Sequence, residues 1–316
     1  MPTGMWFHNG QYAFGVGLRR RRGPIVTVVA ATVRIGTCSW ADQGLLAAWY
    51  PRGVSTAEKR LRYYAERFDV VEVDSPYYAL PDPAVTERWA RRTPDAFTFH
   101  VKASSAMTWH DGEPTDAAFR EFRAALGPLE LSGKLRGVLL QYHPRFVKSE
   151  AAKAELALAH ERLAPLVPLI EFRHRSWMDE EERADTLAFL ERHDLAYVSL
   201  DSPRTRASNV SPRVAAVTHR VAYVRFHGRN AKTWNIRGAE TAAQRFDWLY
   251  SEEELREWVE PLARLADEAD EVYAMFNNNR DDFAPRSAQV LRGLLDESGV
   301  PAAGGVEPPP TELTLF

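Results

Sequence analysis

A single cysteine, Cys38, stands in a chain of 316 residues. No internal disulfide can form, and a zinc site built on four cysteines is excluded. A reducing, cytoplasmic compartment is the expectation. Long apolar runs are missing too: none reaches the ~18 residues that crossing a bilayer takes, so no membrane partner is expected. No Gly-x-Gly-x-x-Gly follows the first strand-like segment, which removes the usual nucleotide-cofactor signature, and no His-Glu-x-x-His offers closely spaced metal ligands. Nor is there an excess of charge of one sign. Forty Lys and Arg face 43 Asp and Glu, a formal net charge of -3. That balance gives no global case for nucleic acid or an anionic membrane and leaves only local basic patches to consider.

What is present is the composition of a globular protein, 45% hydrophobic and 26% charged. The stretch from Leu18 to Val33 imitates a secretion signal, with a basic cluster before a short apolar segment. It runs directly into strand-like sequence with no small-residue cleavage site, so export is not expected. Residues 1–25 show no periodicity and are expected to be a disordered arm or an over-early translation start.

Eight β-rich runs recur: Val33–Ser39, Val70–Ser75, Phe97–Lys102, Gly137–His143, Leu169–Arg173, Ala196–Asp201, Val221–His227 and Val272–Asn277. Helical signals lie between most of them. Ser55 to Glu58 and Ser251 to Glu254 have capping-box spacing, and Asp179 to Glu182 places acids where a helix N-terminus favours them. Repeated strand–helix alternation implies parallel strands with right-handed crossovers. Over about 270 residues the expected closure is a single (β/α)8 TIM barrel spanning 33–298, with residues 299–316 as a flexible tail. A doubly wound open sheet is the alternative.

Within these runs polar residues alternate with apolar ones: Glu72 and Asp74 with Val71 and Val73, His100 and Lys102 with Phe99 and Val101. Gln141 and His143, Glu171, Arg173 and Arg175, Ser199 and Asp201, and Arg225, His227 and Arg229 continue the pattern. Period-2 alternation puts one set under the helices and the other inside the barrel. The apolar set is expected on the helix side, which lines the interior with charge near the C-terminal strand ends, where barrel active sites are built. A salt-bridge lattice that merely fixes the barrel is the structural alternative.

Two chemistries compete for such a site. His100, His143 and His227, with a nearby carboxylate, are candidates to hold a divalent metal that activates water. Alternatively Arg173, Arg225 and Arg229 offer planar forks that suit phosphate or carboxylate. Lys102, Gln141, His143, Asp201, Asn277 and Asn278 would then complete substrate binding, with Glu72 or Glu171 as general base and His227 as acid. Nine tryptophans add aromatic material; Trp40, Tyr77, Tyr78, Trp109, Trp177 and Trp234 follow strand ends and are candidates to stack on bases or sugar rings.

The strings "IGTCSW", "VVEVDSPYYALPD", "FHVKAS", "LLQYHPRF", "IEFRHRSW", "VRFHGR" and "VYAMFNNNRDDFAPRSAQVL" resemble, in order, the YecE-like family, also called domain of unknown function 72. The resemblance covers roughly residues 33 to 296 and implies a TIM barrel without a settled activity. It marks Glu72, Lys102, Gln141, Glu171, Arg173, Trp177, Arg225, His227, Asn277 and Asn278. The chain departs from the pattern at Asp74, where the family usually has Asn, and at Asn279, where it often has His. The missing histidine argues against a multi-zinc site.

Family members often end in Gln-Leu-x-Leu-Phe, and Glu312 to Phe316 reads Glu-Leu-Thr-Leu-Phe. This resembles the peptide that docks repair proteins on the bacterial sliding clamp, with Leu313, Leu315 and Phe316 as anchors on a Pro/Gly tether. Glu312 in place of Gln would weaken it. Three functional classes follow: a protein acting on nucleic acid or nucleotides and recruited by its tail, a small-molecule enzyme for a phosphorylated or carboxylated sugar-like compound, and a non-catalytic adaptor.

Overall fold

The computed structural model describes residues 30–203, 213–234 and 242–305, together with the two-residue strand Ala13–Phe14. Eight parallel strands close into a barrel: β1 (Val33–Thr37), β2 (Val70–Val73), β3 (Thr98–Lys102), β4 (Leu135–Gln141), β5 (Val167–Glu171), β6 (Ala196–Asp201), β7 (Val221–Phe226) and β8 (Glu271–Phe276). Closure is explicit, since Val272 to Phe276 of β8 pair in register with Val33 to Thr37 of β1. This is the (β/α)8 TIM barrel expected from the alternation.

Helices follow the strands for reasons visible locally. Ser251 and Glu254 form a complete capping box, as their spacing predicts. At the other expected box the cap lies one residue later: Thr56, not Ser55, accepts a hydrogen bond from the amide of Lys59. The long helix expected after Ser251 is divided into Glu252–Arg256 and Val259–Glu268. Trp258 sits at the break with its indole fully buried, and Pro261 falls in the first turn of the second piece, where a missing N–H costs nothing.

Three two-residue strands among the described residues decorate the barrel: Ala13–Phe14, Val214–Ala215 and Ala302–Ala303. β1 touches β2 at a single pair, Thr37 with Val71, so the two strands part below it. Ala302–Ala303 fills that wedge, pairing with Val33 and Arg34. The sheet therefore takes in residues that the sequence assigned to the tail. Gly304 makes the exit possible, at a φ of 79° with the carbonyl of Ile35 only 2.2 Å from where a Cβ would stand. Ala13–Phe14, inside the expected arm, pairs with Val214–Ala215. Residues 306–316, including Leu313, Leu315 and Phe316, lie outside the described residues.

The apolar surface is split between two cores. Val71, Val101, Leu140, Ile170, Val224 and Phe276 pack outward against the helices. A smaller cluster that includes Val70, Leu139, Leu169, Val198, Tyr223 and Met275 fills the lower barrel interior. Above it the interior turns polar, as the alternation predicts for β2, β5 and β7. β6 is the exception. Its Val198 and Leu200 belong to the interior cluster and Tyr197 to the outer one, so Ser199 and Asp201 face the helix layer. The expectation that they point inward is corrected: both faces of Ala196–Asp201 carry apolar side chains, and hydropathy alone does not set the phase.

Candidate active site

Arg225, on β7, is the centre of the upper interior and is wholly buried. One end of its guanidinium donates to Glu171 Oε2 at 2.5 Å. The other donates to Glu72 Oε1, also at 2.5 Å. A single cation thus bridges two carboxylates that reach it from β2 and β5. Tyr223, two residues earlier on the same face, donates its hydroxyl to Glu72 Oε2 at 2.9 Å. Cys38 Sγ lies 3.8 Å from Arg225 Nη2.

Glu171 has further partners. Its Oε1 accepts from Gln141 Nε2 at 2.6 Å and from Arg173 Nη1 at 2.8 Å. His227 Nε2 lies 3.3 Å from the same oxygen. Asn277 Nδ2 meets His227 Nδ1 at 2.9 Å, which fits a neutral imidazole whose proton is on Nε2, facing Glu171. Phe246 stacks on the His227 ring at 5.2 Å, and Trp234 lies under the Arg173 guanidinium at 4.8 Å.

The electrostatics separate the two acids. Burial raises Glu72, the Arg225 charge offsets part of this and Asp74 adds to it, with a result of about 7. Burial acts on Glu171 too, but Arg225, His227 and Arg173 together outweigh it and hold that carboxyl well below the usual range. Burial pushes His227 down to about 4, so the ring is neutral in ordinary solution. Two carboxyl groups with proton affinities driven apart are the arrangement that divides acid and base roles.

Lys102 stands at the end of β3, partly accessible at the mouth. Its ammonium lies 4.3 Å over the ring of Tyr77 and makes no ion pair or hydrogen bond with a described residue. Burial lowers its pKa, against the opposing charge of Asp74. Nearby, His110 lies 5.2 Å from Tyr77 and 4.9 Å from His143. Asp42, which no motif marks, is raised to about 6 by burial and by Asp74. It precedes a short helix after β1, and nothing in its local sequence marks it.

Several expected site residues lie elsewhere. Asp201 accepts from Tyr250 (2.8 Å), Trp258 (2.7 Å) and Arg229 (2.8 Å) in a knot on the outer side of the barrel. Arg229 is also held by Glu257, so its fork is not open to a ligand. Trp177 is buried in a stack with Phe172 and Phe146 and donates to the Phe146 carbonyl. Asn278 turns outward to Trp248 and Ser287. Arg175 pairs with Asp179 on the surface. His100 is buried in the lower interior, 4.3 Å from Tyr273 and 4.9 Å from Tyr223, and burial lowers it to about 3. His143 accepts the amide of Arg145 at the rim. The three histidines offered as metal ligands are therefore not brought together, and among the described residues no three His, Cys, Asp or Glu side chains converge as a ligand set.

Fold and site together define a TIM barrel with a charged, largely self-paired mouth. The family model described as protein of unknown function DUF72 matches residues 34–312, and the chain belongs to that family. YunF of Bacillus subtilis (strain 168) is 31% identical over 271 residues, covering 84% of this chain and 95% of the relative. A crystal structure of a DUF72 protein from Thermotoga maritima superposes with a TM-score of 0.74 at 29% identity, covering 84% of this chain and 99% of that one. One from Enterococcus faecalis gives 0.73 at 26% identity, covering 84% and 96%. Among the described residues no helix is long and apolar enough to cross a membrane.

Proposed function

We propose that the barrel mouth is an acid–base active site for a small anionic compound, phosphorylated or carboxylated and sugar-like. The observation that carries this reading is the pair Glu72 and Glu171, bridged by Arg225, with one carboxyl raised and the other lowered. Glu72 then exchanges protons with the substrate, while Glu171 stays ionised and orients Arg173 and His227. Lys102, Arg173 and Arg225 balance Glu72, Asp74 and Glu171 in number, so the interior as a whole is not an anion trap. Affinity for an anion rests on Lys102 and on Arg173, of which only Nη1 is hydrogen-bonded among the described residues, to Glu171. A mouth whose charges are largely paired with one another among the described residues suits a small molecule better than a nucleic-acid backbone, which calls for a continuous basic track.

The test is a thermal-shift and calorimetric panel of sugar phosphates, sugar acids, nucleotides and short single-stranded DNA. Saturable binding of a small anion, lost in Arg173→Ala while the fold is kept, supports the reading. Binding that survives Arg173→Ala, or no binding across the small anions, removes it. Preference for the oligonucleotide would restore the nucleic-acid class. The sequence of Leu313, Leu315 and Phe316 favours a separate docking role for the tail. A pull-down on the sliding clamp, comparing the full chain with one ending at Pro310, decides that point; equal retention of both would sink it.

A further inference from the structure

The chain has only six lysines among its 40 basic residues: Lys59, Lys102, Lys134, Lys148, Lys153 and Lys232. Arginine serves almost everywhere that a fixed positive charge is enough. The lysines divide by what their ammonium groups do. Lys134 donates to the carbonyls of Ala90 and Thr93, Lys148 pairs with Glu182 and Asp185, and Lys153 pairs with Glu150 and Asp185. Lys59 is exposed and donates to Gly53. Lys232 is exposed on a loop. Lys102 alone combines a place at the barrel mouth, crowding by the barrel wall, partial access and an ammonium with no hydrogen-bond or ion-pair partner among the described residues.

A guanidinium keeps its proton under all protein conditions, whereas a crowded primary amine can release one and attack a carbonyl carbon. The flanking groups suit such a step. The Tyr77 face seats the amine from one side. Burial favours the free amine over the opposing charges of Asp74, Glu171 and Glu72, and those carboxylates are near enough to take the proton it releases. We propose that Lys102 is a covalent amine that condenses with an aldehyde or ketone substrate to form an imine. This rests on the reading of the mouth as an active site for a small anion, and it narrows the substrate class to carbonyl compounds.

The step balances without an oxidant or reductant. The Lys102 lone pair forms the C–N bond as the carbonyl π pair moves to oxygen. A carboxyl group at the mouth protonates that oxygen, and the resulting carboxylate takes the proton from nitrogen. The re-formed carboxyl then gives this proton to the oxygen, the C–O bond breaks as the nitrogen lone pair forms the C=N bond, and water leaves the protonated imine. The imine then serves as the electron sink for proton transfer at the neighbouring carbon, a role open to the raised carboxyl of Glu72.

The experiment uses the wild-type protein with dihydroxyacetone phosphate, glyceraldehyde 3-phosphate and pyruvate, each with cyanoborohydride. Peptide mapping by mass spectrometry then locates the reduced adduct. The expected result is one adduct per chain at Lys102 with at least one probe. It should form about tenfold or more faster than at Lys59 or Lys232, since a carbonyl compound held at the mouth meets this amine in an effectively unimolecular step, whereas the exposed lysines react only from bulk solution. Competition by a non-carbonyl sugar phosphate should slow it, and Lys102→Met should lack it. Adducts spread evenly over the exposed lysines, or none at Lys102 where Lys232 reacts, would overturn the proposal. If small anions still bind in an Arg173-dependent way while Lys102 stays unlabelled, the covalent step alone fails. If neither is seen, the reading of the site fails with it.

Discussion

Replacing Arg225 by Met removes a buried cation while keeping much of its aliphatic volume. Two ion pairs of 2.5 Å are lost, and Glu72 and Glu171 are left facing each other with no exposure to water. Removing one partner of such a pair costs about 3–5 kcal/mol, because the remaining charge keeps its desolvation penalty without its compensation. Here two carboxylates are stranded, although Glu171 retains Arg173 and Gln141, so the upper part of that range is expected. In a barrel of this size it corresponds to a fall in melting temperature on the order of 10 °C.

The pH dependence gives the sharper signature. In the wild type, the depressed carboxyl of Glu171 contributes stability above its unfolded pKa, which is lost as the pH falls through its folded value. Without Arg225 both carboxyls lose the charge that favours their ionised forms and take up protons more readily on acidification, which relieves the strain. The deficit of Arg225→Met should therefore be largest near pH 8 and shrink toward about pH 5. Urea denaturation of both proteins at the two pH values measures it. A deficit below about 1 kcal/mol, or one that grows on acidification, would refute the bridging role.

Other consequences lie away from the mouth. Lys134 fastens the end of the helix Pro83–Arg91 with donors 2.6 Å and 2.7 Å from the Ala90 and Thr93 carbonyls. Lys134→Met should cost about 2–3 kcal/mol in chemical denaturation, and a neutral result would make it an ordinary surface lysine. Asp201→Asn unbalances the knot of Arg229, Tyr250 and Trp258. It should cost about 2–4 kcal/mol in the same assay yet leave ligand affinity unchanged, and a selective loss of binding would return Asp201 to the site. Gly304→Ala forces a Cβ onto a φ of 79° and against the Ile35 carbonyl, so a cost above about 2 kcal/mol is expected. Unchanged stability would mean that Ala302–Ala303 does not hold the wedge beside β1.

Much of the barrel was legible because its alternation is strong. Glu72 against Val71 and Val73, and Arg225 against Val224 and Phe226, leave no doubt about which face meets the helices. β6 was misread because Tyr197 and Val198 are both apolar, and the phase is decided by Trp258 and Tyr250 presenting donors to Asp201 from distant segments. Pairing within the site was not legible. Tyr223 and Arg225 reach Glu72 across sequence separations of 151 and 153 residues. Whether an arginine is open to a ligand or already engaged, as Arg229 is by Asp201 and Glu257, depends on such contacts and not on strand pattern. The same limit explains Trp177, which follows a strand end as Trp234 does but enters a stack with Phe172. Asp42 lies in the segment after β1, outside the polar alternation of the strands, and its proximity to Asp74 comes from β1 and β2 lying side by side.

The separation of the two bridged carboxyls can be observed directly by carbon-detected NMR titration of the side-chain carboxyls, with Glu72→Gln and Glu171→Gln used for assignment. The account predicts that Glu72 titrates near 7 while Glu171 remains ionised well below the usual carboxylate range. Two carboxyls that titrate together near the ordinary glutamate value would contradict it and leave the charged mouth a structural lattice.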